Sequence, residues 1–128
     1  MTRRLLLAWG LGLAAGCAPS ATAPEGKPED PAATELREVF ELVSLATAEG
    51  GKPPKGVKDL AKYESAYPLG FDRLRAGKLV AVWGVGPDPA SAGLLAHEKD
   101  AAAAGGWVVR RNGQVEKLTA DQVRAAGG

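Results

Sequence analysis

The sequence predicts an α+β domain in which an N-terminal helix packs on a small antiparallel meander of about four strands. Two observations carry this prediction. Leu36, Val39, Phe40 and Val43 recur at spacings of three and four, the pattern of a helix with one apolar face. Residues 79–83, 94–98, 107–110 and 115–118 are instead short apolar or β-branched runs, separated by Gly, Pro and Asn turn signals. The 128 residues, 45% hydrophobic and 24% charged, suit one hydrophobic core and exclude collagen-like, disulfide-scaffold and strongly disordered classes.

Ahead of the domain, Arg3 and Arg4 precede an apolar run, residues 5–15, followed by Gly16 and the single cysteine, Cys17. A run of this length suits the h-region of a signal peptide and falls short of the ~20 residues a membrane-spanning helix needs. Leu13-Ala14-Ala15-Gly16-Cys17 resembles the lipobox of bacterial lipoproteins, which implies cleavage before Cys17 and lipid attachment to its thiol. Residues 1–16 are therefore read as a lipoprotein signal peptide, 17–33 as the lipidated cysteine with a Pro/Ala-rich tether, and 34–128 as the domain. Thr2-Arg3-Arg4-Leu5 is also similar to a twin-arginine export signal, so both export routes stay open. Ala18, rather than Asp, after the cysteine favours the outer membrane over the inner one by analogy with enteric sorting.

The chain carries 16 basic and 15 acidic side chains; loss of Arg3 and Arg4 with the signal leaves 14 − 15 = −1. Such a balance gives no footprint for nucleic acid. With one cysteine there is no intramolecular disulfide, so packing alone must stabilise the domain in an oxidising compartment. Residues 18–33 hold four of the nine prolines and no aliphatic residue larger than Ala, the composition of a tether. In a polyproline-like conformation it would reach on the order of 50 Å.

Thr34 is the expected cap of the first helix, with Glu35 and Glu38 placed against its positive dipole end. Leu42, Leu45 and Ala46 widen its apolar stripe, and Gly50-Gly51 followed by Pro53-Pro54 ends it. Val57, Leu60 and Tyr63 recur at threes and predict a short second helix, and residues 70–76 a third that stops at Gly77. Lys52, Lys55, Lys58 and Lys62 are interrupted by Asp59, which reads as a solvated face. Residues 79–83, apolar at every position, predict a buried central strand. Gly84-Val85-Gly86 opens like a dinucleotide loop, but Pro87-Asp88-Pro89 forbids the helix that would hold a phosphate.

Residues 94–98 predict a second strand, 99–106 a flexible connection, and 107–110 a third strand. A three-residue loop, Arg111-Asn112-Gly113 with Gly113 left-handed, aligns Trp107, Val109 and Val115 on one face. Thr119 and Gln122 form a capping box and Leu118 and Val123 a hydrophobic staple, which predict a final short helix that frays at 125–128.

The order of a Pro53-Pro54-Lys55 turn with Val57-Lys58-Asp59-Leu60, then Tyr67-Pro68-Leu69-Gly70, Val82-Trp83-Gly84, Glu98-Lys99-Asp100 and Gly105-Gly106-Trp107-Val108, resembles small uncharacterised lipoproteins of planctomycete-type bacteria. That family carries no activity to transfer. The final hairpin is remotely similar to pilin-like proteins with a His-x9-Asp-Gly signature, which implies a pilin-head-like fold. Asn112 stands in place of the Asp, His97 lies too far ahead of it, and no prepilin methylation segment is present, so the resemblance does not extend to pilus assembly.

Catalytic constellations are thin. The single histidine, His97, lies beside Glu98 and near Asp100, but adjacent strand residues point to opposite faces. Ser44, Ser65 and Ser91 sit in no nucleophile elbow. The sequence therefore predicts a protein that is not an enzyme, with no catalytic residue, metal site or cofactor. The expected role is a non-enzymatic interaction module, held to the membrane by lipid on Cys17 and presented to an envelope protein partner. The alternative is a lipid-anchored binding protein for a small ligand, a glycan or peptide, with Trp83, Trp107 and Tyr67 as binding residues around loop 84–93.

Overall fold

The computed structural model describes residues 30–127. The expected signal peptide, Cys17 and most of the tether lie outside the described residues. Helix α1, Pro31–Gly50, is followed by a 3-10 helix, Val57–Tyr63, and by α2, Pro68–Arg75. Strands β1, Leu79–Ala81, and β2, Leu94–Glu98, precede the short helix α3, Ala101–Ala104. Strands β3, Gly106–Arg110, and β4, Val115–Leu118, lead into α4, Ala120–Gly127. The α+β class holds: helices pack on one antiparallel sheet of order β1-β2-β3-β4.

Helix α1 begins earlier than the sequence reading placed it. Asp30, not Thr34, caps it by accepting from the Ala32 N–H at 2.8 Å, and Pro31 takes the first helical position. Proline lacks the N–H that is unsatisfied there anyway, so the two residues start a helix together. Ala32 and Ala33, expected in the tether, are buried. Glu35 and Glu38 consequently sit beyond the first turn and serve α2 instead. Glu35 pairs with Arg73 at 2.9 Å, and Glu38 accepts from the Gly70 N–H at 2.9 Å. Gly51, left-handed at φ 76°, ends the helix as expected.

The apolar stripe of α1 enters the main core through Leu36, Val39, Leu42, Val43 and Ala46, against Leu60, Phe71, Leu74, Leu79, Ala81, Leu95, Ala96 and Val109. The spacing of three in Val57, Leu60 and Tyr63 matches the 3-10 geometry found. Helices α1 and α2 cross at Gly70, where an added Cβ would lie 2.8 Å from the Glu38 Cβ and 2.9 Å from the Val39 N. The glycine allows this close approach.

Residues 79–83 do not form a central strand. Among the described residues β1 is an edge strand that pairs only with β2, and Val80 and Val82 are 39% and 37% exposed. A fully apolar run reads as buried on both faces, but here the first face lies under the α1 side and the second is covered only partly. That second face carries its own cluster, Leu94, Ala101, Val108, Leu118 and Val123, with Ala126 packed against it. The sheet is thus covered on both faces rather than by the N-terminal helix alone. The connection 99–106 contains α3, and α4 continues to Gly127 because Ala126 still finds apolar contact.

A bulge between Leu94 and Ala96 places Leu94 in the second cluster and Leu95 in the main core. The hairpin matches its expected form: Val109 faces Val115, Trp107 faces Lys117, and Gly113 has φ 93°. The capping box is complete, with the Thr119 N–H donating to Gln122 Oε1 at 2.9 Å and the Gln122 N–H to Thr119 Oγ1 at 3.2 Å. No helix among the described residues is long and apolar enough to cross a membrane.

Candidate functional site

The three aromatic residues proposed for ligand contact are half-buried, and all pack on the margin of the main core. They do not converge. Leu79 pairs with Glu98, and continuing the β2–β3 register sets Trp107 opposite Glu98. Trp83 lies in the turn two residues past the end of β1, the strand two places away from β3. Tyr67 precedes α2 and belongs to neither strand. Loop 84–93 is tied to the hairpin end of β3: the Asp88 N–H donates to the Arg111 carbonyl at 2.9 Å, and Arg111 Nε to the Gly86 carbonyl at 2.8 Å. Trp107 stands at the other end of β3, so the expected grouping around that loop is corrected.

Trp107 lines an open groove of about 740 Å³ with Asp30, Glu98, Lys117, Thr119 and Gln122. Its backbone N–H donates to Glu98 Oε1 at 2.8 Å. Gly106 makes this possible, since a Cβ there would meet Glu98 Oε1 at 2.6 Å. An indole beside carboxylate, amide and hydroxyl groups is a surface able to take a polar ligand with one flat apolar face. His97 lies apart from this groove. Its Nδ1 is 2.7 Å from the Glu98 carbonyl oxygen, and its ring borders the second sheet face. Among the described residues no group of His, Cys, Asp and Glu is arranged to hold a metal ion.

Two further surfaces were missed in the sequence. At the end of α1, Tyr63 donates its hydroxyl to Glu49 at 2.8 Å, and Lys62 lies 3.4 Å from the same carboxylate. The Tyr63 hydrogen bond, then the Lys62 ammonium, hold the Glu49 carboxyl below its ordinary range. On the second sheet face, Val82, Leu94, His97, Ala102, Val123 and Arg124 enclose an apolar cleft of about 380 Å³ beside the exposed β1 edge. No local signal reveals that cleft, because it depends on strand order and on where α4 lies. The chain matches no family model, no curated protein and no solved structure.

Proposed function

We propose that the protein is a lipid-anchored, extracytoplasmic envelope protein whose folded domain is a non-enzymatic interaction module. The observation that carries this reading is the exposed face of the edge strand β1 and its continuation, where Val80 and Val82 lie beside an apolar cleft. Apolar side chains next to an unpaired strand edge are a ready surface for another chain. The lipobox-like ending at Cys17 supports the anchor. Asp30 follows Cys17 by 13 residues, a maximal reach of about 40 Å at 3.1 Å per residue in polyproline geometry.

The test is crosslinking and affinity capture from native membranes with the full chain and with Cys17→Ser, lipidation being read by intact mass in the same samples. A lipid adduct on Cys17 and a specific crosslinked protein lost in the serine variant support the reading. An unmodified cysteine, or a lipidated protein without any partner, overturns it. A second reading, a binding protein for a small glycan, is favoured by the Trp107 groove. Loss of oligosaccharide binding in Trp107→Ala with unchanged thermal unfolding would support it; an unfolded variant would assign Trp107 to the core.

A further inference from the structure

Glu98 ends β2, Trp107 lies near the start of β3, and Lys117 lies near the end of β4. The register pairs Trp107 with Lys117, and its continuation across β2 pairs Trp107 with Glu98. Residues directly opposite one another carry their side chains on one face of a sheet, so the three form a row of carboxylate, indole and ammonium. All three line the open groove of about 740 Å³, with Asp30 at the start of α1 and Thr119 and Gln122 around the start of α4. Trp107 and Glu98 are half-buried while Asp30 and Lys117 are exposed, so the groove is reached from solvent.

The charged groups of the groove do not answer one another. Among the described residues, Glu98, Asp30 and Lys117 form no ion pair. One Glu98 oxygen accepts from the Trp107 N–H, and one Asp30 oxygen accepts from the Ala32 N–H. Each carboxylate keeps its second oxygen without a hydrogen-bond partner among the described residues. Lys78 and Lys99 stand at the same end of the sheet, and neither comes within ion-pair distance of Glu98. Cations sit over the Tyr63 and Phe71 rings, but among the described residues none lies over Trp107.

A half-buried carboxylate without a counter-charge is costly unless a ligand or water answers it. A protonated amine answers this groove twice. Its hydrogen bonds to carboxylate oxygens are charge-assisted, and the negative face of an indole attracts a cation. The indole also offers a flat apolar surface, which a sugar ring can cover with its C–H groups.

Deepening the small-glycan reading of the groove, on which it rests, we propose that the ligand is a glycan of hexosamine units with free amino groups. Trp107 packs against one pyranose ring, Glu98 accepts from the ammonium of that ring, and Asp30 adds a second negative charge. Lys117, across the indole from Glu98, repels the ammonium and so orients the ring.

The test uses the full-length protein in detergent and three β-linked tetrasaccharides that differ only in one substituent on each ring. These are the glucosamine tetramer with an ammonium, the N-acetylglucosamine tetramer with an acetamide, and cellotetraose with a hydroxyl. Calorimetric titration at mildly acidic pH, where the amine is charged, should show the glucosamine tetramer binding about tenfold more tightly than the other two. Glu98→Gln keeps an acceptor for the Trp107 N–H and removes only the charge. It should weaken the glucosamine tetramer about tenfold and leave the other two unchanged. Lys117→Glu should tighten the glucosamine tetramer several-fold, a gain that loss of folding cannot produce. Equal binding of all three tetramers overturns the amine preference and leaves the glycan reading standing; no binding of any tetramer overturns both. Binding of the glucosamine tetramer that neither Glu98→Gln nor Lys117→Glu alters also overturns the proposal, because the amine is then held elsewhere.

Discussion

Replacing Gly70 by Ala tests the packing of α2 on α1, because local and tertiary physics predict opposite signs. Gly70 is the third residue of an α-helix, where Ala is favoured by about 1 kcal/mol through intrinsic propensity. The structure opposes that gain. The new Cβ would stand 2.8 Å from the Glu38 Cβ, 2.9 Å from the Val39 N and 3.0 Å from the Glu35 carbonyl oxygen, two of them backbone atoms of a helix. Carbon contacts settle near 3.5–4.0 Å, so the helices must part by up to about 1 Å. Overpacking of this kind costs roughly 1–3 kcal/mol. Parting also stretches the bond from the Gly70 N–H to Glu38, worth about 1 kcal/mol or more for a charged acceptor. The net expectation is a loss of about 2 kcal/mol, or roughly 8–16 °C in Tm for a domain of this size. Thermal unfolding followed by circular dichroism measures it, with Gly50→Ala as control, since a Cβ at Gly50 meets nothing within 4 Å. A Gly70→Ala protein as stable as wild type, or more so, would refute the close crossing.

Thr119→Ala removes half of the capping box of α4 and should cost about 1 kcal/mol, read as lower Tm and faster amide exchange in α4. Gly113→Ala forces a Cβ into φ 93° and to 3.3 Å from Phe40 Cζ, and should lower stability by about 1–2 kcal/mol in urea unfolding. Glu35→Ala strips Arg73 of a partner whose side chain is only 12% exposed, with an expected loss of about 1 kcal/mol by the same measurement. In Tyr63→Phe the Glu49 carboxyl should titrate closer to its ordinary value when followed by NMR. Its folded-state value is depressed, so this contact favours the folded state above the unfolded carboxyl pKa and stops doing so as pH falls through the folded one.

Much of the chain was legible because its signals are local. The stripe of α1, the spacing of three in the 3-10 helix, the left-handed Gly113 and the Thr119–Gln122 box each depend on residues within a few positions of one another, and each appears in the structure. The helix start was misplaced because Thr34 is a sound cap taken alone. Asp30 followed by Pro31 is a better one, and Ala32 and Ala33 have a core to enter.

What the tertiary structure alone decided concerns position in the sheet. An apolar run such as residues 79–83 has the same local preferences in the centre of a sheet as at its edge. Only the meander order makes β1 an edge, and only the position of α4 leaves Val80 and Val82 outside the second cluster. Likewise the composition names Trp83, Trp107 and Tyr67 as contact residues, but their separation follows from pairing across β2. The sequence by itself determined most of the elements, the cap of α4 and the hairpin turn, together with the lipobox-like pattern at Cys17, since short-range sterics and hydrogen bonding specify such local features. Strand order, covered faces and the edge position of β1 arise from contacts between residues far apart in the chain, and short-range preference carries no information about those.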